Sequence, residues 1–293
     1  MGMSEWLEVR IPISPRADYF NRVHLIAHSI RSLGGRYADV RIRVTVGADQ
    51  EPEDLYARLP WSREVGIDWV WVDRQEFLNW KATQHEYIAT MMERFRPPFN
   101  SHKVLMLDAD ILAIRNFDEL IDLIDARPGV AAVMAHISPF ESREGLRRFT
   151  GWLPFGPGKA LDHAGWWKLL FESTGTPMPR FAYQHSSWGI TEHNKRRRYA
   201  PPYFNTGVVL ATSDELSRFY QPYTQALDAV RAKIDTYFFE QIAMTLALFR
   251  TGVPFHVIPL RYNFPNQAEF DRALPSELAE TRFLHFLLSL IHI

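Results

Sequence analysis

Apolar and polar positions along the chain predict strands and helices in alternation. Residues 6–13, WLEVRIPI, read as a strand that ends at Ser14-Pro15. In 18–33, Val23, Ile26, Ala27 and Ile30 recur at helical spacing, and Gly34-Gly35 predicts the stop. VRIRVTV (40–46) alternates apolar and basic residues, as a half-buried strand does, and IDWVWVD (67–73) is a further strand. From Asn79 to Phe95 the spacing predicts a helix, closed by Pro97-Pro98. KVLMLDAD (103–110) carries the continuous apolar run of a strand covered on both faces.

The second half repeats the theme with one interruption. A short helix is predicted at 117–126 and a strand at 130–136. From 138 to 202 the chain is rich in Trp, Pro, Gly, His and Arg with weak periodicity, which reads as a loop-rich insertion over one end of a sheet. Regular pattern resumes at 203–211, with helices near 213–230 and 235–250 and a strand at 254–260. This alternation predicts an α/β fold: a Rossmann-like, mainly parallel sheet flanked by helices, within a single domain spanning 1–293.

Composition narrows the function classes. With 46% hydrophobic residues the chain can bury one large core. A formal net charge of −1 gives no basic field for nucleic acid. The absence of cysteine excludes disulfides, thiolate metal sites and a Cys nucleophile, and it fits a reducing compartment. No charged start followed by an apolar stretch opens the chain, and no apolar run reaches the roughly 18 residues of a membrane span. A cytoplasmic protein is expected. The basic run KRRR (195–198) leaves peripheral contact with an anionic membrane open.

The stretch VLMLDADIL (104–112) poses a physical question, because two like charges one residue apart repel. If the strand continues through them, Asp108 and Asp110 point to the same side. They would stand at the carboxyl end of a central strand, where open α/β sheets bind ligands. Such a pair suits Mg²⁺ or Mn²⁺, which takes one or two carboxylates and completes its shell with water and phosphate oxygens. About one D-x-D is expected by chance in a chain of this size, so the triplet alone is weak. One other reading is a solvated strand-end turn with Asp110 as a cap. Another is a haloacid-dehalogenase-type phosphotransferase with Asp108 as nucleophile. Against that rival, Ile111-Leu112 follows the pair, and the chain has no Asp-Asp or Gly-Asp dipeptide.

Further stretches fall into one order. IPISPRADYFNRVHLIAHSIRSL, VLMLDADILAIRNFDEL, YFNTGVVLA, FFEQIAMTLAL, VIPLRYNF and FLHF follow one another from about residue 8 to 287. The ordered set resembles the retaining glycosyltransferases of the GT-A fold, family 8, which includes glycogenin and the lipopolysaccharide galactosyl- and glucosyltransferases. The resemblance implies transfer of a hexose from a UDP-sugar to a saccharide, glycolipid or protein acceptor hydroxyl, with retention of configuration. It implies that Asp108, Asp110 and His285 ligate Mn²⁺ or Mg²⁺, and that Ile13, Ser14, Tyr19, Lys81, Asp108, Ala109 and Asn205 contact the donor. Tyr19 falls at the uracil-stacking position, and Lys81 falls where a cation often lies near the diphosphate. Glu240 and Gln241 fall at the family's Asp-Gln pair near the reacting carbon. Alone, His285 would read as a buried strand histidine, Asn205 as a turn residue and Glu240-Gln241 as an ordinary helix face.

Two departures qualify the pattern. The family's histidine motif continues with a Gly and a Lys that close over the diphosphate, whereas FLLSLIHI follows His285 here. Arg282 or the KRRR run is then the expected phosphate cation. Glu240 also replaces an Asp with a side chain one methylene longer. A GT-A protein that binds without transferring is therefore a competing expectation. In 138–202, Trp152, Trp166, Trp167, Trp188 and QHSSW (184–188) suit either an acceptor surface or a satellite core.

Overall fold

The first strand forms as the pattern predicts, as β1 (Ser4–Ile13). The computed structural model describes residues 4–72, 90–135, 139–140, 163–178, 201–234, 236 and 238–286. After β1 come helix α1 (Ala17–Arg31), β2 (Val40–Val46), the short helices α2 (Leu55–Arg58) and α3 (Trp61–Val65), and β3 (Ile67–Trp71). Helix α1 buries Val23, Ile26, Ala27 and Ile30. It stops before Gly34 and Gly35, whose positive φ of 68° and 54° other residues rarely adopt. Next are β4 (Lys103–Leu107), β5 (Ile111–Ala113), α4 (Asp118–Ala126) and β6 (Val130–Met134). Helix α5 (His163–Ser173), β7 (Phe204–Thr212), α6 (Ser213–Arg231) and α7 (Phe239–Thr251) follow. The last strands are β8 (Phe255–Val257), β9 (Phe264–Pro265) and β10 (Phe283–His285).

Seven strands form the central sheet in the order β3-β2-β1-β4-β7-β6-β8. Every neighbouring pair is parallel except the two that β7 makes with β4 and β6. Strand β4 is covered on both faces. Val104 and Met106 pack into the core built with α5, α6 and α7, while Leu105 and Leu107 pack into the core with α1 and α4. Each such side chain stabilises the fold by about 1.5–3 kcal/mol.

The structure differs from the sequence pattern where the chain changes sheets. Strand β4 ends at Leu107 rather than at residue 110. Asp108 to Asp110 form a turn, and β5 joins a second sheet ordered β5-β10-β9. An apolar run cannot show this, because both sheets bury the same residue types. The 138–202 stretch is helical at His163–Ser173. There Trp167 packs on Tyr203 and Phe171, and Phe140 lies 6.0 and 5.4 Å from the rings of Trp166 and Trp167. Those two tryptophans are core residues. Trp152, Trp188, QHSSW, KRRR and most of the helix expected at 79–95 lie outside the described residues. The strand expected at 254–260 is confined to 255–257. Among the described residues no helix is long and apolar enough to cross a membrane.

On β1, Glu8 and Arg10 are buried and hold the irregular segment 94–100. Arg10 Nε donates to Glu8 Oε1 at 2.6 Å, and its Nη atoms donate to the carbonyls of Arg96 (2.5 Å) and Pro98 (2.6 Å). Glu8 Oε2 accepts the Asn100 N–H at 2.6 Å. One ion pair thus takes over the backbone pairing that a neighbouring strand would supply. Arg10→Met leaves the buried Glu8 with only the Asn100 N–H and the more distant Arg43, 3.9 Å away, and chemical denaturation should show a loss of about 3–5 kcal/mol. A loss under about 1 kcal/mol would mean the segment is held by other contacts.

Candidate active site

Two segments meet at the carboxyl end of β4. Asp108 and Asp110 come from the β4–β5 turn, and His285 ends β10. The register places His285 opposite Ile111, so its ring lies beside Asp110. Backbone bonds fix the approach: Asp108 N–H donates to the Gly207 carbonyl (2.9 Å), and Phe286 N–H donates to the Asp110 carbonyl (3.0 Å). One ligand atom from each of Asp108, Asp110 and His285 lies within 4.8 Å of the others. Two carboxylates and an imidazole at that spacing fit a divalent cation that accepts mixed oxygen and nitrogen ligands, a closer match to Mn²⁺ than to Mg²⁺.

Each aspartate has its own nitrogen partner. His285 Nε2 lies 3.2 Å from Asp110 Oδ1. Burial pushes the Asp110 carboxyl up, but the His285 charge and hydrogen bond, with Arg22 beyond, hold it below the usual carboxylate range. Burial pushes the imidazole down, but Asp110 outweighs this and raises it. Arg94, fully buried, donates from Nη1 to Asp108 Oδ1 and to the Thr206 carbonyl, both at 2.8 Å. Its Nε donates to the Met91 carbonyl at 2.9 Å. Sequence reasoning missed Arg94. In MMERFRPP it looks like a surface residue of a helix end, and only its buried acidic partners reveal it.

Glu240, in the first turn of α7, is the second acid on Arg94, with Oε2 3.6 Å from Nη2. Burial, opposed by Arg94 and reinforced by Asp108, pushes its carboxyl up to about 8. The Tyr223 hydroxyl acts on the same carboxylate, although neither it nor Glu240 Oε1 makes a hydrogen bond of ordinary geometry. One guanidinium therefore serves two acids, and Asp108 has the closer contact. Gln241, beside it, is half-buried.

A second tier stands behind His285. Asn205 Oδ1 accepts the Gly207 N–H at 2.7 Å and an Asn263 amide N–H at 2.8 Å. A backbone N–H can only donate, so the Asn205 oxygen is committed inward and its amide nitrogen faces the other way. A Cβ on Gly207 would lie 2.9 Å from Asn205 Oδ1, 3.2 Å from Asn263 Nδ2 and 3.3 Å from His285 Cε1. Only glycine lets these three side chains close up.

The remaining expected residues fall as follows. Ile13 and Ser14 are buried at the end of β1, Tyr19 is half-buried on α1, and Ala109 is buried between the aspartates. Lys81 lies outside the described residues. Arg282, one of the expected phosphate cations, faces Glu119 and Glu280, each at 3.8 Å, rather than the aspartates. Its place just before β10 puts its side chain among the acids of α4 and of the segment before β10.

This architecture has relatives among solved structures. The bifunctional glycosyltransferase WbbM matches over 97% of this chain and 46% of its own, with a TM-score of 0.57 and 14% identity. Here the chain spans under half of the relative. The fold is that of the GT-A glycosyltransferases. The galactosyltransferase LgtC, solved with donor and acceptor sugar analogues, matches over 96% of this chain and 87% of its own, at a TM-score of 0.55 and 16% identity. Mouse xyloside xylosyltransferase 1 matches over 97% and 98%, at 0.52 and 13%. No protein-family model matches the sequence, and no curated protein does. The GT-A fold replaces the haloacid-dehalogenase alternative for the aspartate pair.

Two outcomes follow. Gly207→Ala should weaken Mn²⁺ binding about tenfold or more, at a stability cost of about 1–3 kcal/mol, by pushing His285 and Asn205 apart. Unchanged affinity would show that the ring has room to move. Glu240 should also impose a pH dependence. Its folded value of about 8 exceeds the ordinary 4.5, so the folded protein holds an extra proton between those values and stability falls as pH rises through that window. Urea midpoints of Glu240→Gln should lack this fall, on the order of a few kcal/mol, and the two proteins should converge below about pH 4.5.

Proposed function

We propose that the protein is a metal-dependent glycosyltransferase, moving a hexose from a UDP-sugar to an acceptor hydroxyl with retention of configuration. The observation that carries this reading is the convergence of Asp108, Asp110 and His285 at the ligand-binding end of a GT-A sheet. The UDP donor, the hexose and retention rest on the family resemblance of the ordered motifs. In this reading the three residues hold Mn²⁺ or Mg²⁺. When bound, that cation supplies positive charge to the departing diphosphate.

The chain's own groups do the rest. Ile13, Ser14, Tyr19 and Ala109 line the nucleotide position, and Lys81 is assigned to the diphosphate by sequence alone. Arg94 holds Asp108 in one orientation through its second bond to the Thr206 carbonyl. Asn205, its oxygen committed to Gly207 and Asn263, offers amide N–H groups to a sugar hydroxyl. Of the pair assigned to the reacting carbon, Gln241 is the more exposed, while Glu240 is turned into the Arg94 cluster and sets its charge. The acceptor site is assigned to residues 138–202 outside α5, since Trp166 and Trp167 are spent on the core. Peripheral contact with a membrane would come from KRRR.

The test is release of UDP from a panel of UDP-hexoses. Turnover should require Mn²⁺ or Mg²⁺ and should fall more than about a hundredfold in Asp108→Asn. Metal-dependent UDP binding with no hydrolysis or transfer would point instead to a GT-A protein that binds without catalysis.

A further inference from the structure

Counting charge around the aspartates leaves a gap. Arg94 is fully buried, its guanidinium held by Asp108 and by the carbonyls of Thr206 and Met91, and His285 must be neutral to ligate a metal. A divalent cation offsets Asp108 and Asp110, so a bound diphosphate still needs a positive partner. Arg282 is turned toward Glu119 and Glu280.

Arg22 is placed to fill this gap. Helix α1 packs along β5, and the Ser29 hydroxyl accepts the Ala113 N–H at 3.1 Å. From that contact, seven helical residues lead back to Arg22 and three strand residues lead back to Asp110. Each path is about 10 Å. The Arg22 guanidinium stands over the Tyr19 ring, 4.5 Å from its centroid. It is the arginine whose charge acts on Asp110, and Arg22 and Asp110 both act on Tyr19.

Its present partner is weak. Arg22 Nη2 donates to Asp18 Oδ2 at 3.1 Å, in an i,i+4 pair whose carboxylate is 40% exposed and already shared with Arg16. Water screens such a pair, and a phosphate with its higher charge displaces it.

We propose that Arg22 binds the diphosphate of the donor, reaching from α1 over Tyr19 to stand between the nucleotide platform and the aspartates. This assignment rests on the nucleotide-sugar reading of the site. It makes α1 carry both parts of donor recognition, with Tyr19 reading the base and Arg22 the charge.

Calorimetric titrations of UDP and of uridine, in the presence of Mn²⁺, separate the possibilities for wild type, Arg22→Gln and Arg22→Lys. Arg22→Gln should weaken UDP about tenfold or more and uridine less than about twofold, and Arg22→Lys should recover part of the UDP loss. Equal losses for UDP and uridine would overturn the proposal and leave Arg22 as a prop for the Tyr19 ring. Unchanged UDP affinity would overturn it as well. Wild-type protein that binds neither compound would refute the nucleotide-sugar reading itself, a distinct result because it precedes any substitution.

Discussion

The site is governed by the repulsion between two carboxylates held one residue apart where the chain passes from one sheet to another. At a separation of about 4 Å near a protein surface, two like charges cost roughly 4 kcal/mol. The sequence invites the answer that a metal alone relieves this. The structure shows that the protein supplies relief of its own, with Arg94 on Asp108 and His285 on Asp110. The turn is thus held in shape before any ligand arrives. A cation entering it takes over the contact between His285 and Asp110 rather than rescuing an unstable loop.

That arrangement explains otherwise odd features of the fold. Strand β7 runs against its neighbours and brings the Gly207 carbonyl to Asp108 and the Thr206 carbonyl to Arg94. The small second sheet returns the distant His285 to the aspartates by pairing β10 with β5. The Glu8–Arg10 pair, remote from the chemistry, fixes the segment that carries Arg94. Stability and the candidate site are therefore linked through buried charge rather than through apolar packing alone.

Much of the scaffold was legible in sequence, because alternation and apolar runs directly reflect which faces are buried. Strands β1, β2 and β3, helix α1 and the aspartate pair all follow from such patterns. The end of β4 did not, since a change of sheet leaves the apolar texture unaltered. Arg94, and the burial of Glu240 against it, were opaque for the opposite reason. Their burial is set by partners far away in sequence, and periodicity records only neighbours. Helix α5 was hidden by a composition that looks like loop, although GWWKLLF packs as core. His285 was reachable only through the ordered resemblance, since three residues of strand near an unpatterned stretch carry no signal by themselves.

The central claim is that residues from the β4–β5 turn and from β10 form one metal-binding centre. Anomalous diffraction from crystals soaked with Mn²⁺ and UDP tests it most directly. The account predicts one strong manganese peak in coordination distance of Asp108, Asp110 and His285 together. A peak that excludes His285, or a site left dark at saturating Mn²⁺ and UDP, would contradict it.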